Sequence, residues 1–230
     1  MTGMELVGAL VPVNPASGAV AFAGGYVIGA LPVAWLMVRR WRGIDLRDSG
    51  GTGSIDALRV AGPLLAFVSG LIELLKGGAV GIAAELIGGH SDWFTAAAIA
   101  GCVLGDAFPV GFRRGGRGLV PLVSGLLFAL PLAGLLCALI ALPVAAFTRM
   151  RGSFYDAAVV VAVPLGLMIG TFDWRSLAPG AAIVVTLVAR SRLRRAAREK
   201  RSRAALDAPP NATIVDLAPT STKPTTKRGL

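Results

Sequence analysis

The sequence predicts an all-α, polytopic membrane helix bundle of about seven transmembrane helices, with the N-terminus outside and the C-terminus cytoplasmic. Three observations carry this. Residues AVILMFWYC make up 54% of the 230-residue chain, charged residues only 16%, and mean hydropathy is +0.69. The apolar residues gather into runs near the ~20 residues that a helix needs to cross the hydrocarbon. The basic residues fall between those runs, on alternate sides, as the excess of positive charge in short cytoplasmic loops requires. A soluble domain of this length buries too little surface to hide so much apolar area. The net charge of +10 is confined to short clusters and one C-terminal block, which excludes a nucleic-acid-binding globule. The start of the chain lacks the basic region and small-residue cleavage site of a signal peptide, so the mature chain is expected to begin near Met1.

The first span is expected over residues 20–38, with no Lys or Arg before Arg39 and then Arg39, Arg40, Arg42 and Arg47 following it. Residues 60–88 contain glycines at 62, 70, 77, 78 and 81 and fit either one tilted helix or a broken pair. Counting them as one crossing makes basic and non-basic loops alternate without exception. Residues 93–112 form the next span, reached through the turn 89–92, which carries no Lys or Arg, and followed by Arg113, Arg114 and Arg117. Residues 118–147 are interrupted by Pro121, Pro131 and Pro143 and read as two short spans turning near Pro131. Arg149 and Arg151 precede a span at 154–171, and a sparse turn at Asp173/Arg175 leads to the last at 176–189. The chain thus divides into a transmembrane region 1–189, a very basic helical segment 190–203 suited to anionic headgroups, and a Pro/Thr/Ala/Ser-rich tail 204–230 without a folding pattern.

Three polar, glycine-containing segments fall on the cytoplasmic side of this topology. They are residues 43–54 with Gly51, Thr52, Gly53 and Ser54, followed by Arg59; the loop Arg113-Arg-Gly-Gly-Arg-Gly118; and the pair formed by the 149–153 loop, ending at Ser153, and the segment that begins at Arg190 and Ser191. Glycines let successive backbone N–H groups converge on an anion. Gly115, Gly116 and Gly118 would present those donors at the start of the following helix, and Arg117 can grip a phosphate through two parallel hydrogen bonds. A tight turn with a topogenic arginine explains the same residues without a ligand, and the case for a site rests on several such loops sharing one face.

Charges inside the apolar runs need a partner or a cavity. Glu73 and Lys76, three residues apart on one helix face, are expected to pair. Asp106 lies near the cytoplasmic end of its span and either lines the site or marks the interface, and Asp156 stands likewise near the start of its own. His90, the sole histidine, falls in an outer turn and reads as solvated. Cys102 and Cys137 read as small buried hydrophobes, and no metal or redox cofactor is implied.

Taken together these residues resemble the bacterial integral-membrane acyl-phosphate:glycerol-3-phosphate acyltransferases, over about residues 25–195. Gly25-Tyr-Val-Ile-Gly-Ala-Leu-Pro32 is similar to the family's first-helix signature, and Gly43-Ile-Asp-Leu-Arg47 to the segment after it. Gly51-Thr-Gly-Ser54 is similar to Gly-Ser-Gly-Asn, and Glu73-Leu-Leu-Lys-Gly77 to an acidic-x-x-Lys-Gly helix. Gly105-Asp-Ala-Phe-Pro109 leading to Gly115-Gly-Arg-Gly118 resembles Gly-His-x-Phe-Pro leading to Gly-Gly-Lys-Gly. The chain departs at Thr52, Ser54, Asp106 and Arg117, and Arg190-Ser-Arg-Leu-Arg194 stands where the family has Arg-His-x-x-Asn, so both usual histidines are missing.

The resemblance implies a plasma-membrane enzyme of phospholipid synthesis, with its active site on the cytoplasmic face. It implies acyl transfer from acyl phosphate to glycerol 3-phosphate, giving lysophosphatidate. Thr52, Ser54, Arg59, Asp106 and Arg117 would be its catalytic residues. Gly51, Gly53, Gly115, Gly116, Gly118, Ser153, Arg190 and Ser191 would bind substrate. The competing readings are a catalytically silent relative that binds lipid phosphates or acts as a membrane scaffold, and a small transporter. The last would carry polar residues down to mid-membrane along several spans.

Overall fold

The computed structural model describes residues 15–46, 53–111, 115–116, 118–137, 139, 163, 165–171 and 174–206. Among them are seven α-helices: α1 (Pro15–Gly29), α2 (Val33–Arg42), α3 (Ser54–Ala61), α4 (Pro63–Ile87), α5 (Asp92–Ala107), α6 (Leu119–Ala129) and α7 (Leu177–Leu206), the last preceded by a 3-10 turn at Trp174–Ser176. Residues 131–137 and 165–171 are also helical. Two compact units are distinguished, Met1–Arg190 and Ser191–Leu230.

Local chemistry sets the helix ends. The expected span 20–38 is interrupted, because α1 stops at Gly29 and Pro32, lacking an N–H, precedes α2. The two helices nonetheless lie within one apolar stretch, Pro15–Arg42, long enough to cross a bilayer. Gly43 closes α2 in the left-handed region at φ 68° and returns its N–H to the Arg39 carbonyl, while Arg39, Arg40 and Arg42 sit at the negative end of the helix dipole. Gly62, at φ 93°, separates α3 from α4, and Pro63 opens α4 where its missing N–H costs nothing. From Pro63 to Ile87, α4 is a single uninterrupted helix of 25 residues, about 37 Å at 1.5 Å per residue, so one crossing and not a broken pair occupies this stretch. The apolar run beginning at 118 breaks as expected at Leu130–Pro131. Among the described residues, three helical stretches are long and apolar enough to span a membrane: Pro15–Arg42, Pro63–Ile87 and Trp174–Leu193.

Helix α5 is the centre of the bundle: 13 of its 16 residues are buried, and it packs against α1, α4 and α6. Small residues permit this. Gly25 and Gly29 of α1 lie against the backbone of Ala98 and Cys102, and Gly101 and Gly105 of α5 lie against that of Phe22 and Tyr26, so a Cβ at any of the four would collide with main chain. The main core joins Ile99 and Val103 to Leu122 and Leu126 of α6, Leu167, and Ile183 and Leu187 of α7. A second cluster ties α2 and α3 to α4 through Trp35, Val38, Leu46, Ala57 and Leu65. Outward, Val20, Val27, Leu64, Phe67, Val123, Leu127 and Val185 are exposed, the inverse of a soluble surface and what lipid requires.

Candidate active site

A connected set of buried polar groups joins the α1–α2 linker, the start of α3, the middle of α4, the end of α5, the glycine loop and α7. Asp106 is its hub. One carboxylate oxygen, Oδ2, accepts the Gly118 N–H at 2.9 Å, and the Asp106 carbonyl accepts the Gly116 N–H at 2.7 Å. The other, Oδ1, lies 3.5 Å from the Lys76 ammonium, with both side chains under a tenth exposed. Lys76 also donates to the carbonyls of Gly29 at 3.0 Å and Leu31 at 3.4 Å, in the break between α1 and α2. One turn earlier on α4, Glu73 accepts the Ser54 hydroxyl at 3.0 Å. Glu73 and Lys76, expected to pair with each other, therefore take separate tertiary partners. A small cleft lies among them, bounded by residues 29–33, Glu73, Asp106 and Pro109.

The glycine loop is gripped from two sides. Arg190 of α7, buried, donates Nε to the Gly116 carbonyl at 3.1 Å and Nη2 to the Gly115 carbonyl, with its guanidinium 5.9 Å from the Phe108 ring. Phe108 is held in turn by the Tyr26 hydroxyl, which donates to its carbonyl at 3.0 Å. Only glycine fits here. A Cβ on Gly116 would meet Asp106 Oδ2 and come within 2.8 Å of its Cγ, one on Gly115 would meet the carbonyls of Asp106 and Ala107, and Gly118 has φ 73°.

The structure thus joins Asp106, Gly115, Gly116, Gly118 and Arg190 in one network and sets the Ser54–Glu73 pair on the same cleft, with Gly53 buried at the start of α3. Gly51, Thr52, Arg117 and Ser153 lie outside the described residues, as does the side chain of Arg59. Ser191 belongs to the second unit, where it is helical. The amides of Gly116 and Gly118, read from sequence as donors to a phosphate, are directed at Asp106. Tyr26 was not anticipated, although it falls within the first-helix motif. His90 lies far along α4 from this network, its ring nitrogen 3.0 Å from Glu85, which also accepts the Thr95 hydroxyl at 2.9 Å.

An apolar-faced helical bundle with a buried, charged, glycine-lined cluster defines an integral-membrane protein with an internal polar site. Comparison with known proteins narrows this class. The family model described as glycerol-3-phosphate acyltransferase matches residues 19–199. Glycerol-3-phosphate acyltransferase 2 of Deinococcus radiodurans is 37% identical over 161 residues, covering 66% of this chain and 82% of that protein. The Symbiobacterium thermophilum glycerol-3-phosphate acyltransferase is 31% identical over 192 residues, covering 82% and 95%. In fold, the chain is similar to the crystal structure of PlsY (YgiH), an integral membrane glycerol 3-phosphate acyltransferase, in its glycerol 3-phosphate form. The TM-score is 0.61 at 21% identity, over 83% of this chain and 92% of that one. The lysophosphatidic acid form of the same protein matches with a TM-score of 0.60 at 19% identity, over 87% and 98%. The chain belongs to the glycerol-3-phosphate acyltransferase family.

Proposed function

We propose that the chain transfers a fatty acyl group from acyl phosphate to the first hydroxyl of glycerol 3-phosphate, releasing inorganic phosphate and forming lysophosphatidate. The reaction runs at the cytoplasmic face of the cell membrane, in a bundle of seven spans with the N-terminus outside. The observation that carries this reading is the convergence of Ser54, Glu73, Lys76, Asp106, the 115–118 loop and Arg190, drawn from distant parts of a family member's sequence, into one buried network.

An acyl phosphate is already activated, so the protein forms no acyl-enzyme. Its work is to bind two phosphorylated molecules, align hydroxyl with carbonyl and stabilise the oxyanion. Arg117, between Gly116 and Gly118, supplies the charge for one phosphate, and the pinned loop fixes where that charge is presented. Thr52, Ser54 and Arg59, with Gly51 and Gly53 beside them, serve the second phosphate or the reacting carbonyl. Arg190 serves the site by holding the glycine loop through the Gly115 and Gly116 carbonyls. The attacking hydroxyl gives its proton to a substrate phosphate oxygen, since both Asp106 carboxylate oxygens are engaged within the protein. The acyl chain lies between spans, and the basic segment 190–203 rests on anionic headgroups.

Purified protein in detergent micelles, given radiolabelled acyl phosphate and glycerol 3-phosphate, is expected to yield labelled lysophosphatidate. Arg117→Ala abolishes turnover while leaving the thermal melt in place. Binding of both substrates by the unaltered protein without any product would replace this reading with that of a silent lipid-phosphate binder.

A further inference from the structure

We infer that Lys76 is a positioning residue that acts through Asp106, holding Gly118 and the glycine loop in register with the α1–α2 break beside the proposed substrate site. The break explains why a cation is needed there. Because α1 ends at Gly29 and α2 restarts only at Val33, the Gly29 carbonyl lacks the donor four residues on that an unbroken helix would supply. The Val33 N–H turns back to the Leu31 carbonyl at 3.0 Å and not to that of Gly29. Lys76 supplies a donor to both carbonyls, from a helix 45 residues further along the chain.

The third partner of the ammonium makes the arrangement consequential. A buried lysine is costly unless its charge is matched, and the match here is Asp106, whose other carboxylate oxygen accepts the Gly118 amide. Lys76, Asp106 and Gly118 therefore form a continuous relay from the α1–α2 break to the residue that starts α6. Neutralising Lys76 leaves the Asp106 charge buried without its cation. The carboxylate then gains by moving toward water, and it carries the loop with it. The role is fitted to this chain, because the family motif that Gly105-Asp-Ala-Phe-Pro109 resembles has a histidine at the position of Asp106.

The kinetic consequence rests on the proposed acyl transfer; the structural one does not, and the two are measured separately. Hydrogen–deuterium exchange on the full chain in micelles reads the Gly116 and Gly118 amides directly. In Lys76→Met, and in Asp106→Asn, which keeps an acceptor for Gly118 but loses the charge, the peptide carrying residues 115–118 exchanges on the order of tenfold faster, while peptides from the middle of α5 do not change. In the transfer assay both variants raise KM for glycerol 3-phosphate about tenfold with a smaller fall in kcat, and the double variant is no worse than the poorer single one. Unchanged exchange at 115–118 in both variants overturns the inference, as does a KM equal to that of the unaltered protein in folded Lys76→Met. An unaltered protein that makes no product overturns the proposed function instead, and the exchange measurement still decides the role of Lys76.

Discussion

A single added methyl group separates two kinds of glycine, one in the glycine loop and one at the end of α2. At Gly116 the obstacle is the Asp106 carboxylate, itself fixed by Lys76 and Gly118, so Gly116→Ala forces apart groups that have no room to yield. Overpacking of this sort costs about 1–3 kcal/mol, and the displaced loop loses acyl transfer by more than about tenfold, since small misplacements near reacting groups are amplified in rate. At Gly43 a Cβ meets nothing within 4 Å and only φ 68° opposes it. Gly43→Ala therefore costs roughly 1 kcal/mol of backbone strain and leaves transfer intact. Thermal melting and turnover measured on both variants separate the two cases, and equal activity would show that the loop's shape is irrelevant to the reaction. Ser54 poses a different question. Its hydroxyl is a donor to buried Glu73, so Ser54→Ala removes a hydrogen bond to an acidic group worth about 1.5–3 kcal/mol if Glu73 is ionised, and less if it is protonated. A melt of S54A beside that of Glu73→Gln, S54A being much the more damaging to transfer, is the expected pattern if the hydroxyl faces the reacting groups.

Between elements, the contact of α1 with α5 depends on backbone meeting backbone. Gly25 and Gly29 on one helix and Gly101 and Gly105 on the other recur every four residues, one turn apart, so each pair lies on a single face. Gly101→Val should lower the melting temperature markedly, by the same ~1–3 kcal/mol of overpacking or more, whereas Gly24→Ala, with nothing within 4 Å, should hold or raise it by up to ~1 kcal/mol. Differential scanning fluorimetry in micelles gives both answers, and a melt for G101V equal to the parent's would mean that the helices do not need this approach. How legible the elements are in sequence follows from the same physics. The long apolar runs announce α4 and the start of α7 because lipid demands uninterrupted apolar length. Pro131 announces the end of α6. The stop at Gly29 is hidden inside an apolar count that passes over Pro32, and α7 continues to Leu206 beyond the apolar stretch that ends at Leu193 because Ala, Arg and Lys favour helix without hydrophobicity. The site was legible as residue types and not as partners. Spacing three apart suggested that Glu73 would meet Lys76, but their actual partners, Ser54 and Asp106, are 19 and 30 residues away along the chain, a relation no local pattern carries.

For the whole molecule, the arrangement of charge and the position of the network make one statement about the membrane. The Ser54–Glu73 and Lys76–Asp106 contacts lie at the middle of α4 and the end of α5, and the Glu85–His90–Thr95 cluster is at the turn joining the two helices. At 1.5 Å per residue Glu73 and Lys76 lie about 18 and 14 Å along α4 from Glu85, roughly half of a ~30 Å hydrocarbon layer. Arg39, Arg40 and Arg42 close α2 and, in the sequence, Arg113, Arg114 and Arg117 follow α5, whereas the turn 88–91 carries no Lys or Arg. The bias in basic residues is the ground for the proposed cytoplasmic placement of the network, and thiol labelling tests it. His90→Cys should react with a membrane-impermeant maleimide in intact cells. Val110→Cys, at a position 75% exposed beside the glycine loop, should react only after permeabilisation. The native thiols, Cys102 and Cys137, are buried and contribute little background. The reverse pattern would turn the bundle over and deny the site its cytosolic substrate. Labelling of both positions from the same side would be more damaging, because α4 and α5 could then not be crossing helices at all.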